Sequence, residues 1–292
     1  MDLEILEQNE KNALEKGTLY LVGTPIGNLS DISPRALKIL AECDFIAAED
    51  TRVSGKLTTH FGIKKNFVSY YEQNSKEKGK QIIERLKSGE ICALVTDAGM
   101  PAISDPGQDL VRLCHENGIK VSSAPGPSAV ITALALSGLD TKKFTFIGFL
   151  PTKQSDRDKE ILMISSLQTT IVLYEAPHRL LKTLEDIYSK LGNRRLAICR
   201  ELTKINEEIL ITNISNAINK YKESSPKGEF VLVIEGTSDD DEKDFWCDMD
   251  EQSHVMYYIN LGYDRNTAMK KAANDRHVSK SVIYDAIMKK DK

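Results

Sequence analysis

Leu94-Val-Thr-Asp-Ala-Gly-Met-Pro-Ala-Ile-Ser-Asp-Pro-Gly107 is the stretch whose reading decides the fold. The chain enters it through an apolar run, Ile91 to Thr96, that has no alternating polar face. Such a run predicts a central parallel strand covered on both sides. The exit predicts a helix, with Asp105 as N-cap and Pro106 as its first residue. Asp97, Gly99 and Pro101 then fall in the loop at the strand's carboxyl end, where open α/β sheets bind ligands. Glycine allows close backbone approach, the prolines stiffen the turn, and Asp97 offers a fixed acceptor for hydroxyl or ammonium groups. An ordinary βα turn with a locally capping Asp is the alternative. A second loop of the same design, Ala124-Pro-Gly-Pro-Ser-Ala129, follows one helix and one strand later and favours a ligand site.

Outward from this stretch, strands and helices alternate. Thr18 to Ile26 reads as a strand ending in a Gly/Pro turn, and Ser33-Pro34 opens a helix to about Glu42. Phe45 to Asp50 reads as a strand ending in carboxylates, Thr51 to Phe61 as a helix, and Tyr70 to Asn74 as a polar-aromatic loop before a helix from Lys76 to Leu86. Gly107 to Asn117 continues as helix, Lys120 to Ser123 as strand, and a further helix begins at Pro127. Short loops between alternating elements predict a mostly parallel sheet covered on both faces. A second lobe opens near Phe144. It begins with the stretch Phe144–Pro151, and its strands are Thr170–Glu175, Arg195–Arg200, Glu208–Thr212 and Gly228–Gly236, with helices between them. The predicted class is therefore α/β with two lobes: a parallel-sheet first lobe over residues 17–139 and a mixed-sheet second lobe over 140–236. A charged arm (1–16) precedes them, and an acidic linker (237–248) and a small helical tail (249–292) follow. Within that tail, Thr267 to Ala286 has a helix–turn–helix pattern and a basic balance from Gly262 onward.

Composition narrows the function classes. The chain has 292 residues, 41% of them apolar and 28% charged, as in soluble globular proteins. No apolar run approaches the roughly 20 residues that span a bilayer, and the polar first 16 residues lack a signal-peptide layout. A cytoplasmic protein with no membrane partner is expected. Five cysteines and five histidines are scattered without ligand spacing, so no metal site is expected. A net charge of −4 argues against a globally basic nucleic-acid coat but leaves room for a local basic groove.

Dinucleotide, P-loop and nucleophile-elbow fingerprints are absent. Two lobes bearing Pro/Gly loops at strand ends instead predict a cleft for a small ligand with an apolar body and a few polar handles. Eight motifs stand in order: Thr24–Asp31, Ala48-Glu-Asp-Thr-Arg52, Thr96–Gly107, Ala124–Ala129, Gly148-Phe-Leu-Pro151, Tyr174-Glu-Ala-Pro-His-Arg179, Arg200-Glu-Leu-Thr-Lys204 and Gly228-Glu-Phe230. The series, over about Gly17 to Gly236, resembles the ribosomal RNA small subunit methyltransferase I family of the tetrapyrrole methylase superfamily. The resemblance implies a two-lobed tetrapyrrole-methylase-like fold. It also implies S-adenosylmethionine-dependent 2′-O-methylation of a cytidine in small-subunit (16S) ribosomal RNA, free or within the 30S subunit, by a homodimer. On the same grounds Pro25, Asp97, Gly99, Met100, Ile103, Ala124, Ser128 and Ala129 surround the cofactor. Leu150, Ala176, Leu202 and the backbone near Glu229 and Phe230 close it from the second lobe. Gly23 stands where the family leads one to expect proline, and the tail is only loosely family-like.

A ribose hydroxyl needs a proton acceptor. Glu175, Glu201 and Lys204 are the catalytic candidates, with Asp50 and His178 as rivals. Glu201 with Lys204 also reads as a surface ion pair, and Glu175 as an acidic residue near a helix start. For RNA the candidates are Arg52, Tyr71, Asn74, Arg179 and Arg200, with Tyr70 either stacking on a base or serving the core. The rival functions are another methyl transfer of the superfamily, onto a porphyrinoid carbon or a protein side chain, and a non-catalytic RNA-binding assembly factor.

Overall fold

The computed structural model describes residues 13–237, 246, 249–276 and 278–290. Residues 1–12 of the expected arm, most of the acidic linker and Cys247 lie outside these. The chain divides into two compact units, 1–236 and 237–292.

In the larger unit, β1 (Thr18–Val22), β2 (Phe45–Ala48), β3 (Asn66–Ser69), β4 (Cys92–Val95) and β5 (Lys120–Ala124) form one parallel sheet in the order β3-β2-β4-β1-β5. β4 is central and every residue in it is buried. Its alternate residues serve two cores: Ala93 and Val95 face α1 (Pro34–Glu42), while Cys92 and Leu94 face α3 (Ser75–Lys87) and α4 (Gln108–Glu116). Two-sided burial explains why the strand reads as an unbroken apolar run. Ser33 caps α1 as its sequence predicts, accepting from the Ala36 N–H at 3.1 Å with Pro34 next in line. Asp50 likewise caps α2 (Thr51–His60). β3 is absent from the sequence reading because an edge strand that is half-buried at best carries no continuous apolar run.

The second sheet runs β6-β7-β10-β8-β9, from β6 (Phe144–Phe149), β7 (Thr170–Glu175), β8 (Arg195–Arg200), β9 (Glu208–Asn213) and β10 (Phe230–Ile234). Only β6 and β7 are parallel, so the sheet is mixed. One face packs on α6 (Gln154–Ser165), α7 (Leu180–Leu191) and α8 (Ile214–Glu223). The other face is covered by α5 (Ala129–Leu136), through Val130, Ala133 and Leu134 against Val172, Ala197, Val231 and Val233. α5, which falls within the expected first lobe of residues 17–139, thus packs on the second sheet, where its apolar residues cover an apolar face.

Two helix starts also need correction. α4 begins at Gln108, not Pro106, and its N-cap is Gly107 at φ +134. Ala102 and Ser104 take positive φ in the same loop, and Asp105 does not cap the helix. α5 starts at Ala129 rather than Pro127.

In the smaller unit, α9 (Glu251–Asn260), α10 (Arg265–Asp275) and α11 (Lys280–Lys290) pack around Val255, Ala268, Ala272, Ile283 and Ile287. Asp275 accepts from the Tyr258 hydroxyl at 2.6 Å and lies 3.0 Å from Nε2 of the buried His254. Arg276 donates to His254 Nδ1 at 3.1 Å, which makes Nε2 the protonated nitrogen facing Asp275.

Candidate active site

The carboxyl ends of β1, β4 and β5 are stitched into one platform. Thr24 and Gly99 exchange both backbone hydrogen bonds, at 2.9 and 3.1 Å, and the Gly23 N–H donates to Ala124 O at 3.1 Å. The Thr24 hydroxyl lies within hydrogen-bonding distance of both the Thr96 and Gly99 carbonyls. Gly23 meets Gly126 face to face: a Cβ on Gly23 would sit 2.6 Å from Gly126 Cα and 2.8 Å from Met100 Sδ. This contact accounts for glycine at 23, since proline carries the Cβ that the loop cannot hold. Asp97, Ala98, Ile103 and Pro125 are exposed on the platform.

Four carboxylates gather beside it. Asp50 is clamped by Arg52, with contacts of 3.1 and 2.7 Å to the guanidinium and 2.8 Å to its N–H, and this holds its pKa down at about 2. Burial raises Asp97, and the Asp50 N–H and the Arg52 charge oppose the rise. Glu49 accepts from the Thr96 hydroxyl at 3.2 Å. Asp105 is pushed up to about 6, by burial first and then by the Glu49 charge, against a hydrogen bond from Thr96. It is the residue that sequence reading missed: Asp-Pro before a helix has the signature of a cap, and nothing local signals that Glu49 lies beside it.

The second lobe meets this platform at two glycines among other contacts. Ser104 lies against Gly148, where β6 bulges, and Gly27 packs under Leu202, Thr203 and Lys204. Asp105 acts on Tyr174 of β7, whose hydroxyl is raised to about 12 by burial and by that charge, and Phe146 and Phe149 pack on the same ring. Leu150, Leu202, Phe230 and, on the platform, Ala124 are buried. Ala176, Ser128, Ala129, Pro25 and Met100 are half-buried, and Gly99 is buried at φ +86.

The three catalytic candidates sit in ties. Glu175 is buried; Oε1 accepts from the Ala176 N–H at 2.8 Å and Oε2 from the Thr183 hydroxyl. Arg179 lies 3.4 Å from Glu175 and donates to Leu150 O at 2.6 Å. Arg157, 4% exposed, joins Thr183 to Asp186, which it contacts at 2.8 Å. The Glu175–Arg179 motif thereby fixes two backbone segments, at Ala176 and Leu150. Glu201 accepts from the Glu229 N–H at 2.9 Å, and that bond and Lys204 keep its pKa low. Burial pulls Lys204 down, but its 2.9 Å bonds to Glu229 and Glu201 outweigh this and hold it protonated. Glu201 and Thr203 adopt positive φ, and Gly228 at φ +91 leaves room for the Glu201 carboxylate.

Of the RNA candidates, Arg52 and Tyr71 are exposed, while Asn74 bonds the Tyr71 N–H and Ser69 O. Arg200 donates to Lys227 O at 2.6 Å and pairs with Glu208 at 3.3 Å, so like Arg179 it is half-buried and already hydrogen-bonded. Tyr70 is a core residue whose hydroxyl donates to Asp109 at 2.7 Å. Among the described residues no three His, Cys, Asp or Glu side chains converge to hold a metal ion, and no helix is long and apolar enough to cross a membrane.

Residues 18–218 match the family model of the tetrapyrrole (corrin/porphyrin) methylases. The chain is 46% identical over 281 residues to ribosomal RNA small subunit methyltransferase I of Halalkalibacterium halodurans, covering 96% of this chain and 97% of that one. It is 45% identical over 275 residues to the protein of the same name from Bacillus subtilis, covering 93% and 94%. Among solved structures it is similar to uroporphyrin-III C-methyltransferase of Thermus thermophilus complexed with S-adenyl homocysteine. That match has a TM-score of 0.52 at 15% identity over 74% of this chain and 96% of that one, a likeness of fold. The chain belongs to the ribosomal RNA small subunit methyltransferase I family within the tetrapyrrole methylases.

Proposed function

We propose that the protein methylates the 2′-hydroxyl of a cytidine in small-subunit (16S) ribosomal RNA, in the cytoplasm, with S-adenosylmethionine as donor. The observation that carries this reading is identity near 46% running through both lobes of relatives bearing that name. The site fits the donor. An exposed Asp97 and the exposed apolar Ala98, Ile103 and Pro125 suit a ligand with an ammonium, hydroxyls and flat apolar rings. Thr203 Oγ1 is buried without a partner among the described residues, beside Gly27.

In this reading Asp97 takes the ammonium or a ribose hydroxyl, and Gly99, Met100 and Ile103 line the cofactor with Pro25, Ala124, Ser128 and Ala129. Backbone at Leu150, Ala176, Leu202, Glu229 and Phe230 closes the site. When bound, the sulfonium supplies an electrophilic methyl carbon. Glu175 and the Glu201–Lys204–Glu229 cluster act as positioning residues that hold the second-lobe loops in register, a contribution of the kind worth several kcal/mol, up to about 7–11. Arg52 and Tyr71 contact the RNA. A second copy of the chain covers the edge strand β9, where Ile209 and Ile211 are exposed; sedimentation of the purified protein as a dimer is the expected result.

The test is incubation with labelled S-adenosylmethionine and either small-subunit RNA or 30S particles, followed by digestion to nucleosides. Label in 2′-O-methylcytidine is expected. Label on a base or no transfer to either substrate overturns the reading.

A further inference from the structure

We infer that Asp105 is the catalytic residue that takes the proton from the attacking ribose hydroxyl, an assignment that rests on the ribose-methylation reading above.

Glu175, Glu201, Asp50, Lys204 and Asp97 are committed elsewhere. Both oxygens of Glu175 receive hydrogen bonds, Glu201 is held by Lys204 and the Glu229 N–H, and Asp50 is clamped by Arg52. Lys204 keeps its proton between two carboxylates. Asp97 accepts from the Asp50 N–H and faces Arg52. Asp105 differs because none of the groups acting on it is a cation. Glu49 faces it from the end of β2, Thr96 from β4, Asp97 from its own loop, and it acts in turn on Tyr174 from β7.

Its position is equally specific. The loop is pinned to the first lobe by the Thr24–Gly99 pair and reaches the second lobe where Ser104 touches Gly148. Asp105 therefore lies where the lobes face each other, next to the exposed Ile103 and the strained Ala102 and Ser104. A half-buried carboxylate beside a second carboxylate is costly to ionise and correspondingly basic, the property a proton acceptor near neutral pH needs. In the reaction the ribose oxygen forms a bond to the methyl carbon as the carbon–sulfur bond breaks, its electron pair staying on sulfur. The hydroxyl proton passes to a carboxylate oxygen of Asp105 and is returned to water when the methylated RNA leaves.

Asp105→Asn is expected to lower kcat by roughly 10²–10⁴-fold while leaving the S-adenosylmethionine Kd within about twofold, as calorimetry reads it. The wild-type kcat should rise with pH through a limb near 6, and that limb should vanish in the variant. Glu49→Gln, which removes the neighbouring charge, should move the limb to lower pH. Carbon-13 NMR titration of the Asp105 carboxyl in ligand-free protein should show the same displacement without any turnover. The inference falls if Asp105→Asn keeps the wild-type rate and limb, if the limb disappears instead in His178→Gln, or if Glu49→Gln leaves both limb and titration in place. Failure of the wild-type protein to label ribose would refute the underlying reading instead.

Discussion

Gly23→Ala isolates the contact on which the platform depends. Gly23 has an ordinary φ, so alanine brings no backbone strain and its effect is steric. The new methyl would lie 2.6 Å from Gly126 Cα, 2.7 Å from Gly126 N and 2.8 Å from Met100 Sδ. Unstrained carbon contacts begin near 3.5 Å. Met100 can swing aside, but the Gly126 backbone can only retreat, so the β1 and β5 loops must part by about 1 Å. Overpacking of that kind costs about 1–3 kcal/mol. In a unit of this size each kcal/mol lowers Tm by roughly 2–4 °C, which gives a drop of about 2–12 °C in a calorimetric scan. The same displacement strains the Gly23–Ala124 and Thr24–Gly99 hydrogen bonds, so S-adenosylmethionine affinity should fall at least about tenfold, some 1.4 kcal/mol. Gly55→Ala is the control, because a Cβ there meets nothing within 4 Å inside α2. It should stabilise by about 0.5–1 kcal/mol. A Gly23→Ala protein with wild-type Tm and wild-type cofactor affinity would refute the reasoning.

Asp97→Ala should weaken S-adenosylmethionine binding by about tenfold or more in calorimetry without lowering Tm, since the carboxylate is exposed and its main partner is the Asp50 N–H; unchanged affinity removes it from the site. Lys204→Ala should reduce kcat more than it changes cofactor Kd, by freeing Glu201 and Glu229 to repel each other, and equal turnover would make the cluster merely structural. Arg157→Met should destabilise the protein by about 3 kcal/mol in urea, the low end for a broken buried pair because Lys182 still contacts Asp186 at 2.7 Å; a loss under about 1 kcal/mol would contradict this. For Asp105, a folded pKa near 6 against 3.8 for the free side chain means that unfolding releases a proton between those values, so this group's contribution to stability falls as pH rises through the window. The Tm of Asp105→Asn relative to wild type should accordingly climb between pH 4 and 7 and then level off; a constant difference would show that the group is not perturbed.

What the sequence made legible follows the range of the forces involved. β4 and the Ser33–Pro34 helix start depend on neighbours within a few residues, and each was readable from period or cap chemistry. The start of α4 was not, because it depends on positive φ at Ala102 and Ser104, which no side chain there announces. The allegiance of α5 was hidden for another reason: a mostly apolar helix says that part of it is buried but not against which sheet.

The site residues divide along the same line. A charged residue in a loop motif has the same appearance whether it serves chemistry or ties backbone together, and what separates the two is whether its hydrogen-bonding capacity is already taken. For Arg179 the taker is Leu150 O, and for Arg200 it is Lys227 O, each 27 or more positions away in the chain. For Glu201 it is the Glu229 N–H, reached only because Gly228 has no side chain. Motif spacing cannot supply these distances, so it marks ties and catalysts alike. The fold then sorts them by compensation: groups that meet an opposite charge or a backbone partner become structure. Asp105, brought against Glu49 with no cation beside it, is left with reactivity that its own neighbours in sequence do not explain.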